Sequence, residues 1–250
     1  MIAAERAFSA EAGERGWVPA FRAWLADDAV QFAPELTSAK ENMAHTEDDH
    51  FTGLDWRPAF AGLAQSGEIG FTTGPWFVRG QSGARGHYFT IWRMQTDGSW
   101  KWVFDGGVPA VADVAPIATD APVAEMHAPA PGNGSFAGVA VSAVETQIAT
   151  GNALARDALT TRLADDAHVL RTGAAPVVGR ADAAALIAHD PSIQYTVLQT
   201  MASKDGNLGF ALGDARWNEN GAEKRGHYAR VWRRDAESWR IVFDELIPPD

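Results

Sequence analysis

The chain has 250 residues, 46% hydrophobic and 21% charged, enough for two ordinary domains and near globular averages, which excludes wholesale disorder and a membrane-embedded bundle. A formal net charge of −11 without a basic stripe argues against nucleic acid as a partner. Cysteine is absent, which removes disulfides, thiolate nucleophiles and Cys-ligated zinc together.

In chain order, Met1–Arg6 enters a helical pattern at once and lacks the charged and apolar regions of a signal peptide. The sequence as given therefore reads as cytoplasmic, or as periplasmic or secreted if a signal was trimmed. Phe8, Trp17, Phe21, Trp24 and Leu25 recur at helical spacings with Gly13 and Gly16 breaking the run, which predicts two short amphipathic helices with Pro19 in the first turn of the second. The box Leu25-Ala26-Asp27-Asp28-Ala29 then gives way to a short strand, Val30-Gln31-Phe32. A further helix is expected over 40–50. Its end, His45-Thr46-Glu47-Asp48-Asp49-His50, gathers metal-ligand types without fixed spacing, so it reads as a solvated acidic loop and no metal is assigned. Strands follow over Trp56–Ala64, Gly67–Phe71 and the stretch Arg85–Phe104, where Asp97-Gly98 signals a hairpin turn. No apolar run approaches the roughly 20 residues that a spanning helix needs, so no membrane partner is expected.

The stretch Arg85-Gly86-His87-Tyr88, Trp92-Arg93, Trp100, Phe104-Asp105, Pro109 returns as Arg225-Gly226-His227-Tyr228, Trp232-Arg233, Trp239, Phe243-Asp244, Pro248. The shift falls from 226 − 86 = 140 to 239 − 100 = 139, so one residue is lost in the turn between. Leu163-Ala164-Asp165-Asp166-Ala167, a helix over 179–189 and the turn Asn220-Gly221 complete the second copy. Self-similarity at a fixed offset predicts two copies of one domain, residues 1–109 and 135–250, joined by an Ala/Pro-rich linker over 110–134. Each copy has helices first and then an antiparallel meander, an α+β domain with helices on one sheet face.

Helices ending in the Leu-Ala-Asp-Asp-Ala box, a Gly-x-Tyr-x-x-x-Trp-Arg strand and a closing Trp-x-x-x-x-Asp strand resemble the nuclear transport factor two-like superfamily. More narrowly they resemble its ketosteroid-isomerase-like and SnoaL-like bacterial members. The resemblance covers both copies. It implies two tandem cone-shaped domains, each a curved sheet wrapped around helices with a pocket at the open end, and a family that includes isomerases, cyclases, dehydratases and domains without known activity. The isomerase general base would fall on Ala33 and Arg171, neither of which can serve, and the oxyanion-donating tyrosine has no match. SnoaL-like cyclases use a His and an Asp, and His87 with Asp105, or His227 with Asp244, supplies those types on adjacent strands.

Each candidate has a structural alternative. The histidines suit a strand start and the aspartates a turn cap. Trp92 and Trp232, with Trp100 and Trp239, suit core or interface packing as well as ligand stacking, Tyr88 and Tyr228 are further ligand-binding candidates, and Arg93 and Arg233 suit strand-edge ion pairs as well as an anion clamp. Two functions follow: a binder of a small hydrophobic molecule, or a cyclase, isomerase or dehydratase moving a proton with a His/Asp pair. Neither calls for a cofactor. The partners expected are a small-molecule ligand and, within the chain, the other copy as a pseudo-dimer packed sheet to sheet.

Overall fold

The two Gly-His-Tyr strands run through the middle of two separate sheets. In the computed structural model, which describes residues 1–47, 51–109, 117–129, 140–151, 155–236 and 238–248, the chain forms two compact units, Met1–Met126 and His127–Asp250. Both are α+β. Unit 1 runs α1 (Ile2–Arg15), α2 (Trp17–Trp24), β1 (Leu25–Phe32), β2 (Leu36–Ser38), α3 (Ala39–His45), β3 (Leu54–Trp56), β4 (Phe60–Leu63), β5 (Ile69–Val78), β6 (Gly86–Met94), β7 (Trp100–Pro109) and β8 (Ala124–Glu125). Unit 2 runs α4 (Val141–Thr150), α5 (Ala155–Thr160), β9 (Leu163–Arg171), β10 (Val177–Val178), α6 (Arg180–Ile187), β11 (Gln194–Ala202), β12 (Leu208–Glu219), β13 (Ala222–Asp235) and β14 (Ser238–Ile247).

The strand orders are β2-β1-β7-β6-β5-β4-β8, with β3 beside β5, and β10-β9-β14-β13-β12-β11. The meander is antiparallel as expected, but each sheet also holds a parallel pair, β1 with β7 and β9 with β14. That pairing corrects the box: Leu25–Ala29 and Leu163–Ala167 are strand from the first residue, with Leu25 opposite Trp102 and Leu163 opposite Ile241. Leu163 and Ala164 are buried there, and a buried backbone takes its hydrogen bonds from a neighbouring strand. Gly13 does not end α1; Gly16 does, at φ 97, where a side chain would be strained. The second turn is tight, with Asn220 and Gly221 both at positive φ between paired Glu219 and Ala222. Within 110–134, the described residues 117–129 include β8, which pairs with β4.

Side chains alternate across a strand, so register fixes which residues share a face. On β6, Tyr88, Thr90 and Trp92 turn toward α1, while His87, Phe89 and Ile91 turn away. On β13, Tyr228, Arg230 and Trp232 turn toward α4. The opposite face of unit 1 is an aromatic row, Phe60, Phe71, Phe89, Phe104 and Phe32, with neighbouring centroids 5.5, 5.9, 6.1 and 5.7 Å apart. Both sheets carry a bulge at the same place, Ile91/Trp92 and Val231/Trp232. Among the described residues no helix is long and apolar enough to cross a membrane.

Candidate functional site

Glu5 stands on the face of α1 that buries Phe8 and Ala12, and the apolar packing of that face carries its carboxylate into the core with no exposed surface. Three donors meet it: Trp56 Nε1 at 2.6 Å, Trp92 Nε1 at 2.8 Å and the Thr72 hydroxyl. Burial raises its pKa and these bonds only partly offset the rise. On the same face of the sheet, Asp105 of β7 lies opposite Thr90 of β6 and accepts its hydroxyl at 2.6 Å. Burial, with Glu5 adding a like charge, pushes Asp105 up to about 8, although its side chain keeps accessible surface. Tyr88, two positions along β6 on the same face, is buried beside both carboxyls, and its hydroxyl, next to Thr72, makes no hydrogen bond of ordinary geometry. Among the described residues no arginine or lysine bonds to Glu5 or Asp105. This interior therefore presents one protonated carboxyl and one unsatisfied hydroxyl at neutral pH.

The equivalent interior of unit 2 is closed by cations. Glu145, at 145 − 5 = 140 from Glu5, takes Trp232 Nε1 at 2.6 Å, as Glu5 takes Trp92. Where unit 1 has Thr90, unit 2 has Arg230, which bonds Glu145 at 2.8 Å and Asp244 at 2.6 Å. Its guanidinium carbon lies 4.7 Å from the Tyr228 ring centroid and 5.1 Å from that of Tyr195. Where unit 1 has Ala33, unit 2 has Arg171, which bonds Asp244 at 2.7 Å and Asp190 at 2.8 Å. Arg230 and Arg171 hold Asp244 below the ordinary carboxylate range despite its burial. The Tyr228 hydroxyl donates to Glu145 at 3.2 Å, so it is satisfied where Tyr88 is not.

Of the residues singled out from sequence, the structure does not join the histidines to the repeated aspartates. His87 pairs with Val108 and Asp105 with Thr90, three positions apart and hence on opposite faces. This corrects the pairing of His87 with Asp105. Burial pushes His87 down to about 4, so it is neutral at neutral pH. His227 meets Asp214, 3.0 Å from its Nδ1, and Asp244 belongs to the arginine network instead. Unit 1 has Pro75 where unit 2 has Asp214, so the two histidines do not share even that partner. Trp92 and Trp232 are fully buried with their indole nitrogens on Glu5 and Glu145. Arg93 pairs with Asp28, and Arg233 with Asp166 at 2.8 Å and Asp235 at 2.7 Å. Both copies thus tie the Trp-Arg strand to the Leu-Ala-Asp-Asp-Ala box.

In the His45–His50 stretch, residues 48–50 lie outside the described residues. The two glutamates escaped the sequence reading. The available signal was a carboxylate at the same offset in both copies among apolar helix positions, Phe8 in one and Val141, Val144 and Ile148 in the other. The exchange of Thr90 for Arg230 inside an otherwise repeated strand was equally visible.

No family model matches the chain, and no curated protein matches it. Among solved structures it is similar to an NTF-2-like protein of unknown function from Shewanella oneidensis MR-1, 12% identical over 41% of this chain and 88% of that one, at a TM-score of 0.33. A putative calcium/calmodulin-dependent protein kinase type II association domain from Thiobacillus denitrificans is 21% identical over 45% and 98%, at 0.37. A hypothetical protein with a ketosteroid isomerase-like fold from Catenulispora acidiphila, in complex with trimethylamine, is 18% identical over 42% and 82%, at 0.32.

Proposed function

We propose that unit 1 binds a small, largely apolar molecule through a hydrogen-bond acceptor, and that unit 2 is its filled counterpart with no site of this kind. The observation that carries the reading is the replacement of Arg230 and Arg171 by Thr90 and Ala33 around an otherwise shared pair of carboxyls. A carboxyl held up at about 8 is protonated at neutral pH and donates, and the unsatisfied Tyr88 hydroxyl is a second donor beside it. Two donors in an aromatic setting favour a carbonyl or ether oxygen over a cation, since a buried donor without an acceptor costs about 1–3 kcal/mol. Ligand pockets are mostly apolar with a few such polar groups.

Titration of the full chain with an aromatic ketone such as acetophenone, followed by tryptophan fluorescence, tests the reading. Binding should weaken about tenfold in Tyr88→Phe and in Asp105→Asn, each losing one donor. It should disappear in Thr90→Arg, which installs the unit 2 cation. Binding that survives Thr90→Arg, or no binding at all, contradicts it.

The position of Asp105 also favours a second reading, proton transfer next to a carbonyl, because a group that titrates near the working pH can both give and take a proton. Exchange of the ketone's α-hydrogens with deuterated solvent, abolished in Asp105→Asn, would establish it. Exchange at the uncatalysed rate would remove it.

A further inference from the structure

Unit 1 contains a cavity of about 310 Å³, lined by one face of α1 together with β3, residues just beyond β3 and β5, and Thr119; neither Asp105 nor Tyr88 lines it. Its charged wall is Arg6, Arg57 and Arg79 against Glu14 and Asp55. Two of the arginines are fixed. Arg6 donates to the Ala121 carbonyl at 2.8 Å, and Arg57 takes Asp55 with both terminal nitrogens and donates to the Trp56 carbonyl at 2.9 Å. The Ser9 hydroxyl lies 3.3 Å from Asp55 and 3.0 Å from the Trp56 carbonyl, and its single hydrogen serves one of them at a time. Arg79 is the loose one, exposed, and among the described residues its side chain reaches only the Gly13 carbonyl, at 3.4 Å.

Gly13 explains how Arg79 comes to lie there. A glycine inside a helix costs about 1 kcal/mol relative to alanine, yet α1 keeps one, and a Cβ at that point would meet Arg79 Nη2 at 2.2 Å. The helix leaves the space that the guanidinium occupies. Arg57 is pressed below its ordinary value by burial and then by the charge of Arg79, so two like charges are held near each other at the cavity wall.

We propose that this cavity binds a small organic monoanion through a single carboxylate, with Arg79 as the mobile contact. A carboxylate matches the guanidinium fork and offsets the charge that Arg57 and Arg79 impose on each other. Three arginines against two carboxylates leave one net positive charge on the wall, which a monoanion neutralises and which leaves the second charge of a phosphate dianion uncompensated in the cavity. The chain's net charge of −11 works against any anion at long range, so binding rests on these local contacts.

Calorimetric titration of the full chain with benzoate at low ionic strength, and with inorganic phosphate for comparison, tests the site. Benzoate should bind with an affinity that falls on added salt. Arg79→Met should weaken it about tenfold, the effect of one lost charge-assisted hydrogen bond. Gly13→Ala should weaken it as well while α1 stays folded, because the added methyl displaces only the end of a flexible side chain. Asp105→Asn should leave benzoate affinity unchanged, which separates this site from the interior one. No benzoate binding, benzoate affinity equal to wild type in both Arg79→Met and Gly13→Ala, or phosphate binding tighter than benzoate would each overturn the proposal.

Discussion

At the scale of single residues, the chemistry rests on how far burial moves Asp105 and His87. A carboxyl with a raised folded pKa favours the fold while protonated, so its contribution is complete below the ordinary carboxylate range and is lost as pH climbs toward about 8. Glu5, also raised by burial, acts with the same sign. His87 acts oppositely: between about 4 and its ordinary 6.5 the fold resists its protonation, so stability is lost as pH falls through that window. Above 6.5 the imidazole no longer contributes and the slope from the carboxyl remains. Urea unfolding at pH 6.5 and 8.5 should therefore show wild type losing about 2 kcal/mol more than Asp105→Asn over that interval. Equal losses would place Asp105 in an ordinary solvated setting. Residue types in the repeat made Asp105 a candidate from sequence, but that it and His87 lie on opposite faces of the sheet could not be read there. Whether two strand residues share a face depends on register, and the sequence shows neither the register nor the pairing of His87 with Val108.

At the scale of elements, each unit is assembled around one helical glutamate that receives an indole N–H from the bulged end of a strand. Trp92→Ala and Trp232→Ala should each cost about 3–5 kcal/mol in chemical unfolding, from the emptied aromatic site and the donor lost to Glu5 or Glu145. A loss under about 1 kcal/mol would contradict the burial. In unit 2, Arg230→Met should cost a similar 3–5 kcal/mol, because Glu145 and Asp244 would keep their charges in the core without that cation. Adding Asp244→Asn to Arg230→Met should recover part of the loss, and no recovery would mean that the network is not coupled. The strands and turns were legible because alternation, Asn220-Gly221 and Asp97-Gly98 are local signals. The parallel addition of β1 to β7 was not, since Leu25 and Trp102 are brought together by the whole of the intervening chain and nothing local announces it.

At the scale of the whole molecule, duplication gave two interiors with the same anchors and opposite electrostatics. The offset of 140 makes the duplication plain in the sequence, and the exchanges of Thr90 for Arg230 and Ala33 for Arg171 are plain there too. Their meaning was hidden, because only packing shows that both arginines converge on Asp244. Opposite pH responses follow. Asp244 is held below its ordinary 3.8, so its contribution to unit 2 is complete above that value and is lost as pH falls through its depressed pKa. Unit 1 should gain stability as pH drops from about 8 to 6.5, where unit 2 gains nothing from Asp244. Calorimetry of the full chain should resolve two transitions, one rising on mild acidification and the other falling in strong acid; a single transition indifferent to pH between 6.5 and 8.5 would contradict this. The central claim, that unit 1 keeps a protonated carboxyl where unit 2 keeps a bound cation, is tested most directly by following the Asp105 and Asp244 side-chain carboxyl carbons by NMR through a pH titration. Asp105 should titrate with a midpoint near 8 and Asp244 with one below 3.8. Two midpoints together in the ordinary carboxylate range, about 3.5–4, would contradict it.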